Sequence, residues 1–111
     1  DHARITSLIS GATYTDPQIA ETMKQCHDTT GYTLDPHGAC GYRALKEQLR
    51  PGETGVFLET AHPAKFKDTV EPIINGEVTI PRRLAAFMEG EKKSVPMSSS
   101  FSDFKSYLMS R

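Results

Sequence analysis

Three small groups of residues in this 111-residue chain carry types that could do chemistry. Cys26-His27 and His37-x-x-Cys40 add up to two cysteines and two histidines, the inventory of a structural zinc site. Neighbours on a helix point about 100° apart, however, so Cys26 and His27 do not easily reach one ion. Small buried thiols in packed helices explain both cysteines more simply. A nucleophile set of Cys40, His62 and Asp35 can also be drawn, but such sets are recognised by geometry, which spacing does not supply. The third group is the run Glu59-Thr60-Ala61-His62-Pro63-Ala64-Lys65, which follows an apolar stretch and leads into a helix start. In open α/β sheets, ligands sit outside the carboxyl ends of the strands. A hydroxyl at Thr60, with Glu59, His62 and Lys65 as candidate site-edge residues, would face such a crevice. The plainer reading makes Thr60 a helix cap, with His62 and Lys65 solvated.

These residues need elements to hold them. Asp16-Pro17 and Asp35-Pro36 each place a carboxylate and a first-turn proline where a helix begins. Ile19, Met23 and Cys26 recur as one stripe, and Gly31 supplies a left-handed stop. The second helix is expected to run to about Leu49. Gly38 and Gly41 in its first turns imply a close approach by another backbone or a ligand, since glycine costs a helix about 1 kcal/mol relative to alanine. Gly55–Thr60 reads as the one strand. Its continuous apolar centre predicts cover on both faces and neighbouring strands on each side. Pro63 opens a helix to about Ile74, Asn75-Gly76 turns the chain, and Val78–Ile80 is a short extended piece. Pro81 opens a helix with Leu84, Phe87 and Met88. Ser98-Ser99-Ser100 and Lys92-Lys93 read as solvated loop. A last helix, capped by Ser100 or Ser102, carries Phe101, Phe104, Tyr107 and Leu108 on one face as a docking surface. Residues 1–14 are weakly patterned.

Composition narrows the classes. Thirteen Lys and Arg balance fourteen Asp and Glu, a net charge of −1, which excludes a strongly basic nucleic-acid footprint. No run approaches the roughly 18 apolar residues of a spanning helix. Residues 1–12 show no secretory pattern, and two cysteines cannot frame a disulfide scaffold. The expectation is therefore a soluble, cytoplasmic, reduced chain without nucleic-acid or membrane partners. Leu, Ile, Val and Phe number 22 of 111, low for a self-sufficient core. The chain reads as a helix–helix–strand–helix–helix piece of a larger α/β sheet domain.

Two segments carry a family resemblance. Leu58-Glu59-Thr60-Ala61-His62-Pro63-Ala64-Lys65-Phe66 resembles the C-terminal motif of the threonine synthases. The run from Thr30-Gly31-Tyr32 through Asp35-Pro36-His37-Gly38-Ala39-Cys40-Gly41-Tyr42-Arg43-Ala44-Leu45 is similar to that family's preceding segment, in the same order and spacing. Residues 15–75 form the main part of the match, residues 1–14 a connector, and residues 76–111 the C-terminal helices. Glu59 departs from the glycine or small residue that bacterial relatives often have before the Thr-Ala-His.

The resemblance implies a fold-type II pyridoxal-phosphate enzyme, similar to the tryptophan synthase β chain. Its members are carbon–oxygen lyases acting on phosphates, which convert O-phospho-L-homoserine and water to L-threonine and phosphate. It implies that Thr60 meets the ring nitrogen of pyridoxal 5'-phosphate. A hydroxyl offers no compensating negative charge, so it would not favour protonating that nitrogen. The family's Schiff-base lysine and glycine-rich phosphate loops lie upstream of the matched region, and none of the seven lysines here sits in that lysine's context. The expectation is a C-terminal segment with no catalytic residue and no metal of its own. It would be inactive alone, dependent on the rest of the synthase chain, and prone to self-association. A stand-alone helical or α/β protein-interaction module is the alternative, and a small cysteine hydrolase a third.

Overall fold

The computed structural model describes residues 1–111. Its regular elements are all helical: α1 (His2–Thr6), α2 (Asp16–Thr30), α3 (Pro36–Gln48), a 3-10 turn (Pro63–Phe66), α4 (Lys67–Ile74), α5 (Arg82–Met88) and α6 (Phe101–Met109). None is long and apolar enough to cross a membrane. Residues 1–81 form one unit and residues 82–111 a second.

In the first unit, α2 packs on both α3 and α4. The expected stripe of α2 provides Met23 and Cys26 to the interior, and Leu34, Ala39, Val70, Ile74 and Val78 complete the core. Local punctuation explains most helix ends. Gly31 closes α2 at φ +73, and Asn75 closes α4 at φ +50, both in the left-handed region where a helix terminates. Asp35 caps α3 by accepting from the His37 N–H at 2.8 Å. The start of α2 differs from expectation, because the cap is Thr15 and not Asp16. The Thr15 N–H donates to Gln18 Oε1 at 2.9 Å and its hydroxyl donates to the same oxygen at 3.0 Å. The helix expected from Pro63 is two pieces, a 3-10 turn and then α4. The connector 1–14 includes the short α1, entered through Asp1, which accepts from the Ala3 N–H.

The expected strand does not form. Residues 55–60 run extended, but they make no ladder and no backbone–backbone hydrogen bond. The α/β class is therefore corrected for this chain, which is helical. The physical reason is that strand pairing needs a second extended segment alongside, and residues 1–81 contain none in reach. The cover on both faces is corrected too. Val56 and Leu58 are 84% and 78% exposed, whereas Gly55, Phe57 and Glu59 turn inward. The segment lies against α3 instead. A Cβ at Gly55 would meet the Leu45 side chain at 2.4 Å, Phe57 contacts the Tyr42 ring edge at 5.3 Å between centroids, and Glu59 sits over Gly38. Every second residue of the segment thus meets every third or fourth of the helix, running in opposite directions. Two residues of extended chain rise about 6.6 Å and a helical turn about 5.4 Å, close enough for three successive contacts.

In the second unit, α5 and α6 bury none of their residues. Phe101, Phe104 and Leu108 are exposed, as a docking face requires. Ser100 occupies the cap position of α6, but its hydroxyl pairs with Ser102 Oγ at 2.6 Å and makes no cap bond to the helix. Loss of the fully buried Met23 side chain tests the first unit's core. Met23→Ala is expected to lower unfolding free energy by about 2–5 kcal/mol in chemical denaturation.

Candidate functional site

The run Glu59–Lys65 passes from the extended segment into the 3-10 turn, and its side chains part company. Thr60 lies on the same open face as Val56 and Leu58, by the two-residue alternation of extended chain. It is exposed and its hydroxyl forms no hydrogen bond within the chain. His62 caps the turn: Nδ1 accepts from the Ala64 N–H at 3.1 Å, and the His62 carbonyl accepts from the Lys65 N–H at 3.0 Å. Pro63 and Ala64 are buried, which fixes where the turn starts. Lys65 is exposed. The capping role assigned to Thr60 by the plainer reading thus belongs to His62.

Glu59 points the other way, into the start of α3. Its Oε1 accepts from the Asp35 N–H at 2.7 Å. Asp35 is fully buried, and its Oδ1 accepts from the His37 backbone N–H at 2.8 Å and meets His37 Nδ1 at 3.0 Å. The two carboxyl groups are close enough to act on each other's titration. Two ionised carboxylates are acceptors only, and each residue has one buried oxygen, Asp35 Oδ2 and Glu59 Oε2, without a donor. A single proton held between the carboxyls would satisfy both oxygens. Burial pushes the Glu59 carboxyl above its ordinary range, and the adjacent Asp35 carboxylate pushes it further, against the lowering effect of the Asp35 N–H. Burial acts on Asp35 in the same direction, but hydrogen bonds from Glu59, from the His37 backbone and ring, and from Gly38 outweigh it and leave Asp35 low. The two shifts run in opposite directions, Glu59 toward the protonated form and Asp35 toward the charged one.

Gly38 makes this seat available. A Cβ there would stand 2.1 Å from Glu59 Oε2 and 2.5 Å from its Cδ. The close approach at Gly38 is made by a side chain, the Glu59 carboxyl, and not by the backbone or ligand expected at the α3 glycines. Gly41 has only Phe57 Cβ, at 4.0 Å.

The other candidate sets do not assemble. No group of three His, Cys, Asp or Glu residues is placed to hold a metal. Cys26 pairs with the Thr30 hydroxyl, Cys40 donates to the Pro36 carbonyl, and His27 pairs with Thr33. In the drawn triad, Asp35 serves His37 and Glu59 while His62 serves a backbone N–H, so Cys40 has neither as a base. An open groove of about 390 Å³ is shared by Tyr32, Glu59, Ala61, His62, Glu77 and Thr79. Sequence reasoning missed the pairing of Asp35 with Glu59. It also missed Arg43, whose guanidinium joins Glu47 at 2.9 Å, Glu21 at 3.1 Å and the Gln18 carbonyl at 3.1 Å, with Tyr14 donating to Glu47 at 2.6 Å. The i,i+4 spacing of Arg43 and Glu47 was the one local signal for that cluster.

Comparison with known proteins follows the same residues. The family described as "Threonine synthase, C-terminal" matches residues 38–108. Threonine synthase of Serratia marcescens is 42% identical over 98 residues, covering 88% of this chain and 23% of that protein. The Escherichia coli K12 enzyme is 45% identical over 84 residues, covering 76% and 18%. The crystal structure of Escherichia coli threonine synthase superposes with a TM-score of 0.83 at 36% identity, over 98% of this chain and 26% of that one. A PLP-bound threonine synthase from Brucella melitensis superposes at 0.73 and 29% identity, over 96% and 23%. The chain spans about a fifth to a quarter of the length of these curated relatives.

The Gly38–Glu59 contact predicts a change of sign. Gly38→Ala alone is expected to destabilise the chain by about 1–3 kcal/mol through overpacking. In a Glu59→Gly background the same substitution should be neutral or stabilising, because the clash is gone and alanine favours the helix. Urea unfolding of the four variants measures this coupling.

Proposed function

The chain belongs to the threonine synthase family, and we propose that it acts as the C-terminal part of such an enzyme. The superposition of nearly the whole chain on threonine synthase carries this reading. The proposed reaction takes O-phospho-L-homoserine and water to L-threonine and phosphate, in a cytoplasmic enzyme of the fold-type II class. The proposed cofactor is pyridoxal 5'-phosphate, which when bound supplies an electron sink at the substrate's α-carbon.

The residues present fit one edge of that cofactor. A neutral hydroxyl can both donate and accept, and Thr60 leaves it free on the open face, at the carboxyl end of the extended segment. In the proposal Thr60 meets the ring nitrogen and orients the ring without adding a negative charge beside it. His62 sets the direction of the chain after Thr60 by capping the 3-10 turn, and Lys65 borders the site from outside. Glu59, turned inward, keeps its carboxyl away from the ring nitrogen. The residues that would bind the cofactor covalently and hold its phosphate belong to the remaining three-quarters of the enzyme. That part would also cover Val56 and Leu58, as neighbours of the extended segment.

Measurements on the isolated chain and on the complete synthase test this. The 111-residue chain mixed with pyridoxal phosphate is expected to show no stoichiometric lysine-bound absorbance band and no synthase turnover. It should also self-associate through the Val56/Leu58 face, so Leu58→Lys should lower its sedimentation-derived mass. A monomeric chain with one cooperative unfolding transition would instead support a stand-alone interaction module. In the complete synthase, Thr60→Ala should preserve the fold but weaken cofactor affinity by about tenfold, the loss of one good hydrogen bond. Unchanged affinity and turnover would remove Thr60 from the cofactor site.

A further inference from the structure

We propose that Glu59 is a positioning residue for Thr60: its carboxyl, seated over Gly38 and joined to Asp35 by a shared proton, clips the extended segment to the start of α3. The inference rests on the reading of Thr60 given above and adds how this chain holds that hydroxyl in place.

The observations are independent of one another. Within this chain residues 55–60 make no backbone hydrogen bond, so what α3 contributes to holding them comes from side-chain contacts. Of the three inward contacts, Gly55 on Leu45 and Phe57 on Tyr42 are apolar and permit sliding. The third is directional. Glu59 Oε1 takes the Asp35 N–H at 2.7 Å, and that N–H belongs to the residue capping α3. The remaining oxygens of both carboxyls are buried and lack any other donor. Gly38 has room for the carboxyl only because it lacks a Cβ. Thr60 is the next residue, so a shift of Glu59 displaces its hydroxyl directly.

The clip depends on protonation. Around Glu59 stand Asp35 and His37 at the α3 start, Tyr32 on the preceding loop, Cys26 on α2 and Tyr42 on α3. His62 and Glu77 face it across the open groove. Of these groups, Asp35 is the one whose charge acts on the Glu59 carboxyl. Folding raises Glu59, so its contribution is full below the pH at which an unfolded glutamate titrates and is lost as pH rises through the raised value. Asp35 is lowered, so its contribution is present above the ordinary aspartate range and lost as pH falls through the lowered value. The one-proton pair fills the window between. Above it, two carboxylates repel across Gly38 and the segment loosens.

The test uses the complete synthase with Glu59→Gln, Glu59→Asp and Thr60→Ala. Two readouts are taken across pH: the cofactor dissociation constant by equilibrium dialysis, and amide hydrogen exchange of residues 55–61 in the cofactor-free protein, expressed as protection relative to the intrinsic rate at the same pH. A glutamine amide donates to Asp35 and accepts from its N–H at every pH. Glu59→Gln should therefore hold affinity within about twofold and abolish the loss of protection at alkaline pH seen with glutamate. Glu59→Asp, one carbon too short, should speed exchange at all pH values and weaken cofactor binding by about tenfold. The proposal is overturned if Glu59→Asp leaves exchange and affinity unchanged, or if Glu59→Gln keeps the alkaline dependence. If Thr60→Ala fails to change affinity while Glu59→Asp speeds exchange, the clip stands and the cofactor reading of Thr60 falls.

Discussion

The Glu59 carboxyl, seated over Gly38 and accepting from the Asp35 N–H, is the interaction that holds residues 55–60 to the start of α3. Asp35 has two tasks: its side chain closes the exposed N–H groups of α3, and its own N–H receives Glu59. Either task alone is common. Together they tie a helix start to an extended segment 24 residues further along the chain. Buried carboxylates are costly unless paired or protonated, and this pair answers the cost by carrying one charge instead of two. The remaining charge is met by donors from the helix start, the His37 N–H and ring and the Gly38 N–H. A helix N-terminus favours such a charge.

That arrangement sorts the neighbouring side chains by function. Extended chain alternates, so an inward Glu59 forces Thr60 outward. Val56 and Leu58 are forced outward with it. The same geometry that frees a hydroxyl for a ligand therefore strips two large apolar residues of cover. A complete single domain rarely leaves valine and leucine four-fifths exposed beside each other on unpaired backbone. The family's curated members are about four times as long as this chain, and on the proposed reading their remaining parts cover this face.

His62 and Gly38 show how a motif can be tight for structural reasons while standing next to the proposed chemistry. His62 spends its ring on the Ala64 N–H, starting the 3-10 turn, with Pro63 and Ala64 packed beneath. Gly38 is a space and not a flexible joint. Its φ is unremarkable for a helix, and what it provides is the absence of a Cβ under a carboxyl.

Punctuation was legible in the residues themselves. Helix stops at Gly31 and Asn75, the Asp35 cap, the buried stripe of α2 and the family motif around Thr60 all depend on neighbours within one turn or on contiguous sequence. Composition also disclosed a shortage of core, and the bare Val56 and Leu58 agree with it. Three-dimensional packing decided the rest. An apolar run such as Val56-Phe57-Leu58 has the same composition whether one face is covered or two, so only the position of α3 separates the two cases. Strand character belongs to a pair of segments, and the partner has to be present for a ladder to exist. Glu59 beside Asp35 could not be read from either residue, because their attraction is created by burial: in water both would ionise and repel, and only a dry, glycine-lined seat makes one proton serve both.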